Sequence, residues 1–110
     1  MELNRGDIVG INLNPKKGDE VGKVRPCIII SDTPENKILD TIMVVPLSTH
    51  LLDDMLPYRM RIIKRGNLEQ DSDILINHIR TISKKRVTSN ISKITEDEYK
   101  QIIDSLCKNF

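Results

Sequence analysis

Apolar positions in this chain fall mostly in short runs divided by turn residues. Residues 7–13, DIVGINL, alternate and set Ile8 against Val9, Ile11 and Leu13. Residues 24–31, VRPCIIIS, are β-branched and nearly continuous, the pattern of a strand covered on both faces. Residues 41–48, TIMVVPLS, form a second run of that kind. Residues 58–64, YRMRIIK, alternate charged with apolar side chains, as a half-exposed strand does. Residues 73–77 and 79–83 give two more short runs. Turn signals at Asn14-Pro15, Gly18, Gly22, Pro34-Glu35-Asn36 and Gly66-Asn67 separate them. The pattern predicts a mainly β chain curled into a small barrel or compact sheet.

The period changes once, near the C-terminal end. Thr95 with Glu98 three residues later makes a capping box. Glu96, Asp97 and Glu98 occupy a first turn whose dipole favours negative charge. Tyr99, Ile102, Ile103 and Leu106 recur as one apolar stripe, and Ile94 stands where it can staple across the cap. A C-terminal amphipathic helix follows. A shorter helical turn is expected near residues 83–87.

A chain of 110 residues is expected to form one domain, 1–110, with one small core. Apolar residues make up 38% and charged residues 30%, which suits a globular chain rather than a disordered one. No apolar run approaches the roughly 20 residues of a membrane span, and MELNRGD lacks the form of a secretory signal. These features predict a cytoplasmic protein without membrane contact. Cys27 and Cys107 are expected to be reduced thiols, and with His50 and His78 they lack metal-ligand spacing. No metal or cofactor is expected.

Net charge is only +1, but the basic residues cluster. Lys16, Lys17, Lys23 and Arg25 form one group, Arg59, Arg61, Lys64 and Arg65 a second, and Arg80, Lys84, Lys85 and Arg86 a third. Brought together they would make a positive patch suited to phosphate; left apart they are solvated surface charges.

Three stretches carry a resemblance. RGDIVGINLNPKKGDEVGKVRP (5–26) resembles the opening of the MazF/PemK (Kid) toxins of type II toxin–antitoxin systems; VVPLST (44–49) and DSDILINHIRTISKKRV (71–87) resemble that family's later motifs. The resemblance runs from about Arg5 to Leu106. It implies an SH3-like barrel with a C-terminal helix, a homodimer, and a metal-independent endoribonuclease that cuts single-stranded RNA at short sequences. It also implies a cognate antitoxin, for which an acidic protein is expected. A non-catalytic gyrase inhibitor on the same fold, like the CcdB toxins, is the alternative.

RNA cleavage by an internal 2′-hydroxyl needs help in removing the 2′ proton, in stabilising the charged phosphorane and in releasing the 5′ oxygen. Arg25 suits the second task, because a guanidinium is permanently charged and binds two phosphate oxygens. Pro26 biases Arg25 to an extended backbone. Standing alone, Arg25 reads more often as a surface ion-pair residue, with Glu20 as the partner at hand. Glu20, on a loop bracketed by Gly18 and Gly22, is the candidate base or an orienting partner of Arg25. The resemblance places an essential hydroxyl at Ser48, with Thr49 as the choice if the register shifts by one. His78 falls where relatives carry an RNA-contacting glutamine; it could bond a base edge, join the proton chemistry, or simply pack. Asp71 and Asp73 read as structural. Tyr58 is the one ring free to stack on a base. RNA is therefore expected to be held by charge, through Lys16, Lys17, Lys23, Arg80 and Arg86 with Thr49 and His78, and to bind in a strongly salt-dependent way.

Overall fold

The structure is a computed structural model that describes residues 1–12 and 23–110. Its strands in chain order are β1 (Asp7–Asn12), β2 (Val24–Ile29), β3 (Thr41–Ser48), β4 (Arg59–Ile62), β5 (Ser72–Leu75), β6 (Arg80–Ser83) and β7 (Val87–Lys93). Helix α1 (Thr33–Ile38) lies between β2 and β3, and α2 (Glu96–Cys107) follows β7. Two 3-10 turns, Ile76–His78 and Lys84–Arg86, flank β6. Every strand pair is antiparallel, in the order β4-β5-β3-β2-β1-β7 with β6 also on β3.

β3 is the branch point. Its first half pairs with β6, from Thr41↔Ser83 to Val44↔Arg80. Its middle pairs with β2, and its last residues, Leu47 and Ser48, pair with Ile74 and Asp73 of β5. A strand that changes partner along its length forces the sheet to curl. Strand alternation then sorts the core into two clusters. Ile8, Ile28, Ile30, Val45, Leu47 and Ile74 lie in one; Val9, Ile11, Cys27, Ile29, Ile42, Val44 and Ile82 lie in the other. The continuous apolar run of β2 thus serves both faces, as its pattern predicts.

Helix α2 closes the first cluster. Ile102 is fully buried there, with Tyr99 and Leu106 at its margin. The Tyr99 hydroxyl donates to the Ile30 carbonyl at 2.7 Å, and the Arg5 guanidinium lies 4.5 Å from the ring centroid. Both halves of the capping box form, Glu98 N–H to Thr95 Oγ1 at 3.1 Å and Thr95 N–H to Glu98 Oε1 at 2.9 Å. Arg65 donates to both oxygens of Glu98 and ties the β4–β5 connection to this first turn. Among the described residues no helix is long and apolar enough to cross a membrane.

Two elements differ from the sequence expectation. Residues 34–36 carry turn chemistry but lie inside α1, whose Asn36 is buried and donates to the carbonyls of Leu3 and Ser31, each at 3.0 Å. β7, VTSNISK, has no apolar alternation to reveal it; pairing with β1 makes it a strand. That pairing also explains Gly10. A Cβ there would come within 2.9 Å of Ser89 Oγ and Thr88 Oγ1, and Thr88 donates to the Gly10 carbonyl.

Asp73 anchors the segment that follows β3. Its buried carboxylate accepts from Arg61 Nε at 2.6 Å, Arg59 Nη1 at 3.3 Å and the Leu52 N–H at 2.9 Å. Arg59 Nη1 also donates to the His50 carbonyl at 3.0 Å. Burial raises the Asp73 pKa, yet the donors from Arg61, Leu52 and Arg59 outweigh it and hold the carboxyl below its ordinary value of 3.8. This is the structural role expected of Asp73.

Two stability predictions follow from this packing. Ile28→Ala should lower the unfolding free energy by about 2–5 kcal/mol, because the site is closed on every side; denaturant titration checks it. A group whose folded pKa is depressed stabilises the fold above its unfolded pKa, and that stability is lost as pH falls through the folded value. Asp73→Asn should therefore be less stable than wild type at neutral pH and lose less stability on acidification. Parallel denaturation curves from pH 7 to pH 3 decide this; equal acid losses would remove Asp73 from the account.

Candidate active site

The β2–β3 ladder pairs Ile29 with Val44, Ile28 with Val45 and Cys27 with Pro46. Its last pair contains Pro46, and the next residue of β2 is Pro26. Neither has an amide N–H to extend the ladder. Carried two residues further, the same register sets Arg25 across from Ser48. Here the strands open around a cavity of about 380 Å³ lined by Arg25, Pro46, Leu47, Ser48, Leu75, His78 and Arg80.

Strand periodicity explains which side chains meet there. Arg25 shares a face of β2 with Cys27 and Ile29, Ser48 a face of β3 with Val44, and Arg80 a face of β6 with Ile82. Cys27, Ile29, Val44 and Ile82 belong to the second core cluster, so the three polar residues rise from its rim. His78 comes from the 3-10 turn between β5 and β6. Segments distant in sequence thereby contribute two guanidiniums, a hydroxyl and an imidazole to one space.

Six of the arginines divide into two groups. Arg5 meets Asp32 and Glu96, Arg59 and Arg61 meet Asp73, and Arg65 meets Glu98. Among the described residues Arg25 and Arg80 have no ion-pair partner, and no carboxylate lines their cavity. The arginines of segment 59–65 are thus engaged elsewhere, while the first and third segments each send one guanidinium here. Their field reaches the floor. Burial pushes the Cys27 thiol up to about 12, while Arg80 and then Arg25 pull it the other way. Cys27 is a neutral packed thiol.

Ser48 Oγ accepts from the His50 N–H at 3.2 Å, which leaves the hydroxyl hydrogen to point elsewhere. Thr49 lines a separate cavity of about 220 Å³ with Pro26, Asn67, Leu68 and Gln70. Lys23 is exposed immediately before β2, and Tyr58 is exposed before β4. Arg86, in the second 3-10 turn, is half-buried and is not among the residues lining the larger cavity. Glu20, Lys16 and Lys17 lie outside the described residues. Among the described residues no three His, Cys, Asp or Glu side chains gather so as to hold a metal ion. Sequence reasoning passed over Pro46 and Leu75. The signal for Pro46 was present, since a proline inside a β-branched run marks where pairing stops.

Residues 4–110 match the family described as PemK-like, MazF-like toxin of type II toxin-antitoxin system. The chain is 33% identical over 107 residues to the endoribonuclease EndoA of Bacillus subtilis, covering 96% of this chain and 92% of that one. Its fold superposes on a MazE–MazF structure from Deinococcus radiodurans with a TM-score of 0.81 at 17% identity, over 99% of this chain and 96% of that one. An endoribonuclease from a mycobacterial species, solved with its cognate antitoxin, gives a TM-score of 0.77 at 17% identity over 96% and 91% of the two chains. The cavity at the ends of β2 and β3, the curled antiparallel sheet and the C-terminal helix are thus features of a chain that belongs to the PemK/MazF family of type II toxin–antitoxin toxins.

Proposed function

We propose that this toxin is a metal-independent, sequence-specific endoribonuclease that cuts single-stranded RNA by attack of the 2′-hydroxyl on the adjacent phosphate. One observation carries the reading: Arg25, Ser48, His78 and Arg80, from separate parts of the chain, line one cavity without a carboxylate among them. The similarity to an endoribonuclease supports it.

Arg25 is the electrostatic catalyst. Its guanidinium binds two oxygens of the reacting phosphate and meets the charge that grows on the phosphorane. Pro26 holds the backbone before it extended, so little reorganisation is needed. Ser48 donates its hydroxyl to a phosphate oxygen. Arg80 and His78 hold the RNA beside it, and Lys16, Lys17, Lys23, Thr49 and Arg86 extend contact along the strand. Glu20 is the base for the 2′ proton, or the residue that orients Arg25. With few rings to stack on bases, binding depends on charge and weakens steeply with salt. We read residues 1–110 as one toxin domain acting in the cytoplasm as a homodimer. An acidic antitoxin suits the two unneutralised guanidiniums.

Purified protein should cleave single-stranded RNA in excess EDTA. Arg25→Ala should lower the rate by at least about 10²-fold, the usual cost of a lost oxyanion donor. Ser48→Ala should be impaired more than Thr49→Ala, because Ser48 shares the cavity with Arg25. RNA left intact by wild type, together with stalled DNA gyrase, would overturn the nuclease reading; full activity in Arg25→Ala would overturn the assignment of the site.

A further inference from the structure

We propose that His78 is a catalytic residue that delivers the proton to the departing 5′-oxygen. This rests on the nuclease reading and deepens it.

The reaction requires two proton transfers. The 2′-oxygen loses its proton and forms a bond to phosphorus. The bond from phosphorus to the 5′-oxygen breaks, and its electron pair stays on that oxygen, which leaves as a hydroxyl once it takes a proton. The products are a 2′,3′-cyclic phosphate and a 5′-hydroxyl. A guanidinium is too weak an acid for this step, which sets Arg25 and Arg80 aside. Pro46, Leu47 and Leu75 have no proton to give, and the Ser48 hydroxyl is far too weak an acid. Among the described cavity-lining residues, the imidazole of His78 is the one side chain of a type that both binds and releases a proton near neutrality. A carboxylate such as Glu20 accepts a proton at neutral pH but has none to donate, so the acid step falls to the imidazolium.

The support of the ring suits this task. His78 ends the 3-10 turn Ile76–His78, which is fixed by the fully buried Ile76 side chain and by the Ile76 N–H donating to the Tyr58 carbonyl at 3.0 Å. The imidazole itself is exposed, and among the described residues it has no hydrogen-bond partner. The groups that line the cavity with it are Arg25 from β2, Ser48 from β3, Leu75 from β5 and Arg80 from β6. Among the described residues lining the cavity, two are cations and none is an anion. The phosphodiester supplies the negative charge beside which a cationic imidazole is favoured, so the acid is loaded where substrate is bound. Water reprotonates the ring after each cut.

The test compares wild type with His78→Gln, which keeps a hydrogen-bonding side chain but exchanges no proton. Each is given an RNA that wild type cuts, and the same RNA with sulfur replacing the bridging 5′-oxygen. A thiolate leaves without needing a proton. On ordinary RNA the variant should lose about 10²-fold or more in rate, along with the fall in wild-type rate towards alkaline pH. On the sulfur substrate most of that loss should vanish, whereas Arg25→Ala should stay impaired on both. Added imidazole should restore part of the activity of His78→Gly, which separates loss of the acid from loss of fold. Equal losses of His78→Gln on both substrates, an unchanged pH profile, or a change of cut sequence at undiminished rate would each overturn the acid role. Failure of wild type to cut either RNA would instead overturn the nuclease reading.

Discussion

The register between β2 and β3 is the constraint on which the rest of the site depends. Cys27 opposite Pro46 fixes the alternation of both strands, and each residue beyond that pair inherits its face. A slip of one residue would send Arg25 and Ser48 to opposite sides of the sheet. The slip is prevented by what lies behind them. Ile28 and Val45 are committed to one core cluster, and Cys27, Ile29 and Val44 to the other. Because the two clusters are filled by different side chains of β2 and β3, a slip would exchange every one of them between clusters and undo the packing of both. A core requirement thus sets the position of a charged one. Pro26 and Pro46 then end the pairing, so the cavity opens where the hydrogen-bonded ladder stops.

Charge is arranged by subtraction. The chain is nearly neutral, and its arginines would make no focused field if all stood free. Asp73 and Glu98 absorb Arg59, Arg61 and Arg65, and in doing so brace the segment after β3 and the start of α2. At the ends of β2 and β6 stand two guanidiniums, Arg25 and Arg80, with no carboxylate among the described residues that line their cavity. On the proposed reading, this pair meets the charge of a bound phosphate with no neighbouring described carboxylate to compete for it.

Most of this architecture was legible in the sequence wherever apolar residues carry the signal. β1, β2, β3 and α2 declare themselves through alternation, β-branched runs or a capping box, and they are the elements that build the core. β7 was not legible, since its Thr, Ser and Asn residues follow no apolar pattern and the strand exists through its neighbour. Helix α1 was hidden by Pro34 and Asn36, whose turn chemistry serves equally well in a first helical turn and a buried amide. Within the site, Arg25 and Ser48 were readable from the motifs they sit in. The motif alone favours Ser48 over Thr49; the pairing register is what sets it across from Arg25 at one cavity. The division of arginines into neutralised and free could not be read at all, because Asp73 and Glu98 find them only in the folded chain.

The central claim is that a reacting phosphodiester is held between Arg25 and Ser48. The most direct measurement is the structure of the protein bound to an RNA of its cut sequence, with a 2′-deoxy sugar at the cleaved nucleotide so that no attack occurs. The account predicts the scissile phosphate in the cavity, its oxygens about 2.7–2.9 Å from the Arg25 guanidinium and within hydrogen-bond reach of Ser48 Oγ. A phosphate bound elsewhere, with Arg25 turned away from the strand, would contradict it.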